Sequence, residues 1–425
     1  MIAHGEILGH GELWTVKELF TYPNEFIYWS VQIVMYPFMT GLVAGAFVLS
    51  SLYHVFGVQQ LKDMARFALV FSFALLFVAP MPVILHLQYP FRGIEIFMTP
   101  HFTSAIAAFG VVFFAYGAIV ASELWFLYRK HFVEISLKLR EKQDKTVAEW
   151  IRYFIFCSLT LGVYDVSEEA LHKDEKAIKI LAGVGIPVAC FLHGYAGFIF
   201  GSVKANALWM TPLMPVIFIM SAVVSGIALC MLTYIIVMEI KKFLAARKRL
   251  SGPGRLSSTE EIKGVEVHVI RMTAKYLVFF LVAAISLELL DLIFRGYTAL
   301  QSWDVLRSII YERDFYDIFI MQYVIGNLIP LILFLIPGLT IRRSVFAVLL
   351  VLFGVFMMRW NVVIGGQAFS LTFAGYMHYH LPIIPHNWET FKEGLMGALS
   401  IFIMPFVLFW VMAKIFPVFA DAPQK

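Results

Sequence analysis

Titratable side chains are scarce in this 425-residue chain, and several stand inside apolar runs. "SLELLDLIFRGY" (286–297) sets Glu288, Asp291 and Arg295 at i, i+3 and i+7, which puts them on one face of a helix. Asp291 and Arg295 can pair, leaving the deeper Glu288 as a group able to take and release a proton. Proton transfer is the chemistry this suits; a structural ion pair is the plainer reading. "PMPVILHLQYPFRGIEIF" (80–97) ends a greasy run on His86, Tyr89 and Arg92. An imidazole titrates nearest neutrality of the ordinary side chains, so His86 suits quinone chemistry, whereas Arg92 alone can simply anchor in headgroups. "CFLHGYAGFIFGSVKANALW" (190–209) carries His193 and Tyr195 around Gly194, then Gly197 and Gly201 at four-residue spacing. Such spacing allows close helix approach or room for a flat ligand. "FMMRWNVVIGGQAFS" (356–370) holds Arg359 and Asn361. A guanidinium that deep needs a carboxylate or carbonyl partner, and Glu288 or Asp291 is the obvious one. Glu123 either begins a proton path or, as the simpler expectation, pairs with Arg129 at the interface.

The elements that carry these residues follow from composition. The chain is 60% hydrophobic and 15% charged, with a mean hydropathy of +0.80. Soluble domains carry about 25% charged residues, so the reading is an all-α polytopic membrane protein. A net charge of +4 leaves no nucleic-acid footprint. Cys157, Cys190 and Cys230 are isolated in sequence, which argues against a cysteine-ligated iron–sulfur cluster, needing about four thiolates, and against a disulfide framework. Runs of roughly 20 apolar residues mark spans. Nine are expected, at about 28–56, 66–88, 103–128, 177–202, 210–239, 271–296, 316–337, 343–365 and 392–416. Two broken stretches, 150–167 and 368–384, read as interfacial or re-entrant, with ten spans as the alternative.

With nine spans, 25 of the 33 Lys and Arg residues fall on one side. The positive-inside rule makes that side cytoplasmic. An amphipathic N-terminus (1–27), without the pattern of a secretory signal, is then extracytoplasmic. A first transmembrane half (28–240, with a cytoplasmic loop at 129–176) is joined by a basic, Ser/Gly/Pro-rich cytoplasmic linker (241–270) to a second half (271–416) and a cytoplasmic tail (417–425). "FRG" ends both the second span (Phe91 to Gly93) and the sixth (Phe294 to Gly296), consistent with two related four-helix bundles, spans 2–5 and 6–9, plus an extra helix. The polar groups of five spans then fall at one depth, in the outer half, and a single outer cavity is expected.

Three stretches resemble the NrfD family, the polysulfide-reductase membrane subunits: "WSVQIVMYPFMTGLVAGAF", "LHLQYPFR" and, most specifically, "HGYAGFIFGSVKANALWMTPLMPVIFIMSAVVSGIAL". The resemblance runs from about Tyr28 to Phe416. The family's span-2 motif commonly reads Leu-Asp-Leu-Gly-Arg-Pro, so His86 stands here in place of the usual aspartate. "MRWNVVIGGQ" and "SLTLGVYDVSEEAL" resemble the long branch, which includes the Dsr complex subunit P and the Hmc and hydrogenase-2 membrane subunits. The resemblance implies a quinone, generally menaquinone, beside a ferredoxin-like iron–sulfur partner on the outer face, within a larger respiratory complex. It implies no haem or cluster in the chain itself, and carries the quinone site onto Tyr36, His86 and Tyr195. A quinone pocket is thus expected from Tyr36, His86, Tyr89, Arg92, His193, Tyr195, Arg359 and Asn361, with His86, Glu288 and Asp291 moving protons. Two rivals are a haem b anchor ligated through His86 and His193, and an ion-coupled transporter built on Glu288, Asp291 and Arg359.

Overall fold

The computed structural model describes residues 27, 29–101, 103–203, 206–251, 265–298, 303–367 and 376–418. The N-terminal 26 residues, the centre of the basic linker and the end of the tail lie outside the described residues. Among the described residues, nine helices are long and apolar enough to cross a membrane. Spans 1 to 9 are Val31–His54, Gln59–His86, Ala107–Glu141, Glu168–Gly201, Met214–Leu244, Val267–Tyr297, Tyr316–Leu335, Ile341–Gln367 and Leu395–Met412. The protein is an all-α, multi-pass membrane protein.

Polar caps begin several of these helices. Ser30 accepts from the Gln32 amide before span 1, Ser167 from Ala170 before span 4, and Thr340 from Arg343 before span 8. Each satisfies an amide that the first helical turn would otherwise leave unpaired. Spans 3 and 4 overrun the hydrocarbon. The helix Ala105–Glu141 has 37 residues, about 55 Å at 1.5 Å per residue, against about 30 Å of hydrocarbon. Much of the expected loop at 129–176 is therefore helix projecting from the membrane. There Arg129 is buried and donates to Asp174 at 2.9 Å and 2.6 Å. The stretch at 150–167 does not span: it begins as a 13-residue helix, Val147–Leu159, with a Thr146/Glu149 capping box. Part of 368–384 lies outside the described residues.

Spans 1–4 close one four-helix bundle, spans 5–8 close a second, and span 9 packs outside them on spans 1 and 2. The extra helix is thus the last rather than the first, which corrects the expected grouping of 2–5 and 6–9. The shared "FRG" ending still joins equivalent positions, since spans 2 and 6 are each second in their bundle. The bundles meet where span 1 crosses span 5. A Cβ on Gly45 would lie 2.1 Å from the Ala222 carbonyl, and one on Gly226 would lie 2.4 Å from the Gly45 backbone. Only glycine permits that approach.

The basic loops define one end of the molecule, called here the basic end. His86, His193, Arg359, Asn361, Glu288 and Asp291 all lie towards the far end.

Candidate functional site

Near the far end of the first bundle, spans 1, 2 and 3 enclose a cavity of about 560 Å³. Its walls are Tyr36, Val83, Ile84, Leu87, prolines 80 and 90, and the rings of Phe109 and Phe113. Phe91, Ile94 and Phe114 also line it and are 94%, 63% and 59% exposed, so its mouth faces the lipid. The Tyr36 ring packs edge-on to Phe109 at 5.9 Å, and Tyr195 lies 6.2 Å from the same ring. No described group hydrogen-bonds the Tyr36 hydroxyl, which leaves one polar handle in a greasy space.

His86 is not a wall of that cavity. Its helix (Met81–His86) turns Val83 and Ile84 inward and carries His86 away. There Nδ1 lies 2.9 Å from Glu393 Oε2 and 3.3 Å from Ser30 Oγ, while the serine hydroxyl donates to the same carboxylate. Burial pushes the Glu393 carboxyl up, but the hydrogen bonds from His86 and Ser30, with the charges of His86 and Lys392, outweigh it and hold it below its ordinary value. Tyr89 is exposed, with the Arg92 guanidinium 5.0 Å above its ring. Arg92 thus stays at the rim, as an anchor would.

Where the bundles meet, Arg359 is fully buried. Its Nη2 lies 2.6 Å from Ser221 Oγ and 3.0 Å from His193 Nε2, and its guanidinium stacks 3.8 Å from the centre of the Phe218 ring. A guanidinium only donates, so Nε2 of His193 must accept. The ring is then neutral with its proton on Nδ1, which faces Thr40 Oγ1 at 3.4 Å. Thr40 in turn donates to the Tyr36 carbonyl at 3.0 Å. This chain ties span 8 through span 4 to span 1.

The second bundle holds a smaller chamber of about 100 Å³, mostly apolar in its walls but edged by Glu288, Asp291, Arg295, Gln322, Tyr323 and Asn361. Asn361 donates to Gln322 Oε1 at 2.8 Å, and Gln322 donates to Glu288 Oε2 at 2.8 Å. Tyr323 also hydrogen-bonds Glu288. Gln322 and Tyr323 sit on a π-wound stretch of span 7, Tyr316–Leu328. Such winding is rare and concentrates at functional sites. Asp291 pairs with Arg295 at 2.8 Å and accepts from Thr211; Arg295 also donates to the Ala207 and Leu208 carbonyls. Asn361 lines a further space of about 180 Å³ with Arg313, Asp314, Asp317 and Tyr379, towards the far end. Burial pushes the Asp314 carboxyl up to about 6, against the opposing Arg313 charge.

A family model, Polysulphide reductase, NrfD, matches residues 20–371. The chain belongs to the NrfD family. It is 33% identical over 215 residues to a selenate reductase subunit of Mesobacillus selenatarsenatis, covering 48% of this chain and 47% of that one. It is 25% identical over 363 residues to a putative dimethyl sulfoxide reductase membrane subunit of Halobacterium salinarum, covering 84% and 71%. An Hdr-like menaquinol oxidoreductase integral membrane subunit of Archaeoglobus fulgidus is 25% identical over 202 residues, covering 47% and 40%. The chain thus spans about half the length, or less, of two of these three curated relatives.

Within this NrfD-family chain the polar residues share a depth but not a single cavity, which corrects the expected outer hole. Tyr36 lines the apolar cavity; Tyr195 packs on Phe109 behind it and on Phe191 and Phe198; His193 and Arg359 seal the seam between bundles; Glu288, Asp291 and Asn361 line the smaller chamber. Arg359 makes no hydrogen bond or ion pair with Glu288 or Asp291: the ring and carbonyl of Phe218, Ser221 and His193 are its direct partners, and Glu288 acts on it through its charge without contact. Glu123 does not pair with Arg129, because Asp174 occupies that guanidinium. Sequence reasoning missed Glu393, which lies 307 positions from its partner His86 with no local signal to join them. It also missed Gln322 and Tyr323, although a glutamine inside an apolar span was a readable cue. Both nitrogens of His193 are engaged, so haem ligation there would cost Arg359 a partner.

Proposed function

We propose that this chain is the quinone-binding membrane subunit of a reductase complex, with menaquinone held in the apolar cavity of spans 1–3. The observation that carries the reading is that cavity: large, greasy, open to lipid and furnished with the Tyr36 hydroxyl, which hydrogen-bonds no group among the described residues. Ligand sites of about 300–1,000 Å³ with few polar groups are the usual form of small-molecule pockets. A bound quinone supplies two-electron, two-proton redox chemistry. The residues around it would bind and orient it: Phe109 and Phe113 would flank a flat head, the Tyr36 hydroxyl would donate to a carbonyl oxygen, and the exposed mouth at Phe91 and Phe114 would admit a lipophilic tail. His86, between the wall residues Ile84 and Leu87 in sequence but turned away from the cavity, hydrogen-bonds Glu393 at the far end.

The basic end is cytoplasmic in this reading, because it gathers most of the Lys and Arg. The far end then faces out and receives a ferredoxin-like iron–sulfur subunit and the catalytic subunits of the complex. That relatives are named as a selenate reductase subunit, a putative dimethyl sulfoxide reductase membrane subunit and a menaquinol oxidoreductase integral membrane subunit supports the assignment. Proton conduction through Glu288 and Asp291 belongs to the same proposal.

Equilibrium binding of a menaquinol analogue to the full chain in lipid nanodiscs tests it. Val83→Trp fills the cavity and should abolish binding. Tyr36→Phe removes one hydrogen bond and should weaken it about 2- to 10-fold. Unchanged affinity in the Val83→Trp protein contradicts the assignment.

A further inference from the structure

The first bundle holds a second titratable site that the quinone reading does not use. Glu123, on span 3, is fully buried, and neither carboxylate oxygen has a hydrogen-bond partner. Among the described residues no cation pairs with it, since Arg129 is committed to Asp174. Three more buried polar atoms on the same side of the bundle also lack partners: Ser50 Oγ, His54 Nε2 and the Tyr128 hydroxyl.

Helix geometry relates them. Tyr116 of span 3 reaches span 1 at the Val43 carbonyl, 3.5 Å away, and stacks edge-on to Phe47 at 5.5 Å. Spans 1 and 3 run in the same direction, and seven residues are about two helical turns. Moving two turns towards the basic end from Tyr116 and Val43 brings Glu123 opposite Ser50. His54 lies one turn beyond Ser50 on the same face. Arg66 acts electrostatically on both His54 and Tyr128, which places all three at the basic mouth.

Towards the far end the way is shut. Tyr116 hydrogen-bonds Ser72 at 3.4 Å, and Phe47 packs against it and against Gly185 of span 4. Cys190 of span 4 is the other titratable group that acts on Tyr116. An isolated carboxylate ion sealed from water with no donor is too costly to persist. The neutral acid is the form such a site accommodates.

We propose that Glu123 is a proton-loading site that exchanges with water only at the basic end, by way of Ser50, His54 and Tyr128. In each exchange an O–H bond of a hydronium ion in that water breaks as an O–H bond to one carboxylate oxygen forms, leaving neutral water; the reverse step returns the proton to water and regenerates the carboxylate. The proposal stands apart from quinone binding, and its test needs no quinone.

Infrared difference spectra of the full chain in nanodiscs, with and without deuterium exchange, read the carbonyl stretch of protonated carboxylic acids. The unmodified protein should show a buried-acid band that shifts in heavy water. Glu123→Gln should remove it, while Asp174→Asn and Glu288→Gln should leave it in place. Ser50→Ala and Tyr128→Phe should keep the band and slow its exchange at least severalfold. A band unchanged in Glu123→Gln, or exchange equally fast in the Ser50 and Tyr128 variants, overturns the proposal. Should Glu123→Gln fail to fold, the two exchange variants decide alone.

Discussion

At the far end of the first bundle the free space is about 560 Å³ and walled by prolines, aliphatics and phenylalanines around one tyrosine hydroxyl. At the same depth in the second bundle one chamber of about 100 Å³ is walled in part by Glu288, Asp291, Arg295 and Asn361, and a further space of about 180 Å³ lies on the other side of Asn361. The two bundles share helix order and the "FRG" ending of their second helix, yet their interiors differ in kind. Space without polar groups suits a lipophilic ligand; polar groups with little space suit proton storage or an ion pair. Arg359 stands at the seam, where its contacts with His193, Ser221 and Phe218 hold the bundles in register.

The largest expected effect tests whether the second interior is an electrostatic unit. Asp291→Ala strands the buried Arg295, and breaking such a pair costs about 3–5 kcal/mol. Unfolding of the variant in nanodiscs should show that loss, whereas a truncation of Tyr195 should cost much less. Next is the crossing that joins the two bundles. Gly45→Ala drives a Cβ against the Ala222 carbonyl and should cost about 1–3 kcal/mol by overpacking. Gly183→Ala, whose Cβ meets nothing within 4 Å, should be neutral or stabilise by up to about 1 kcal/mol through helix propensity.

The smallest effect separates the ends of spans 7 and 9 by pH. Glu393 is held below its ordinary value of 4.5, so its contribution is present above that pH and is lost as pH falls through the lower folded value. Asp314 is raised from 3.8 to about 6, so the sign reverses: stability is lost as pH rises between those values. Melting temperature against pH should therefore lose part of its acid limb in Glu393→Gln. In Asp314→Asn it should lose part of its decline towards pH 6.

Much of this architecture is legible from the chain. Apolar runs interrupted by basic loops mark all nine spans, because a span must be long and greasy whatever its neighbours. The Asp291–Arg295 pair is legible too, since i,i+4 spacing on a helix fixes it locally. Partner choice across the fold is not. Charge alone matches Arg359 to the nearest carboxylates, but burial lets a ring face, a hydroxyl and an imidazole replace them. His86 ends an apolar run and so reads as a pocket wall, yet a short helix turns its neighbours inward instead. Depth follows from position along each span, whereas the division into separate cavities depends on rotations about helix axes that periodicity alone does not set.

Photoaffinity labelling with a menaquinone analogue, followed by mapping of the modified residues, locates the quinone itself. Label is expected on the segments around Ile84, Leu87 and Phe113, competed by unmodified quinone and lost in Val83→Trp. Label concentrated on spans 6–8 around Glu288 and Tyr323, and indifferent to Val83→Trp, would contradict that placement.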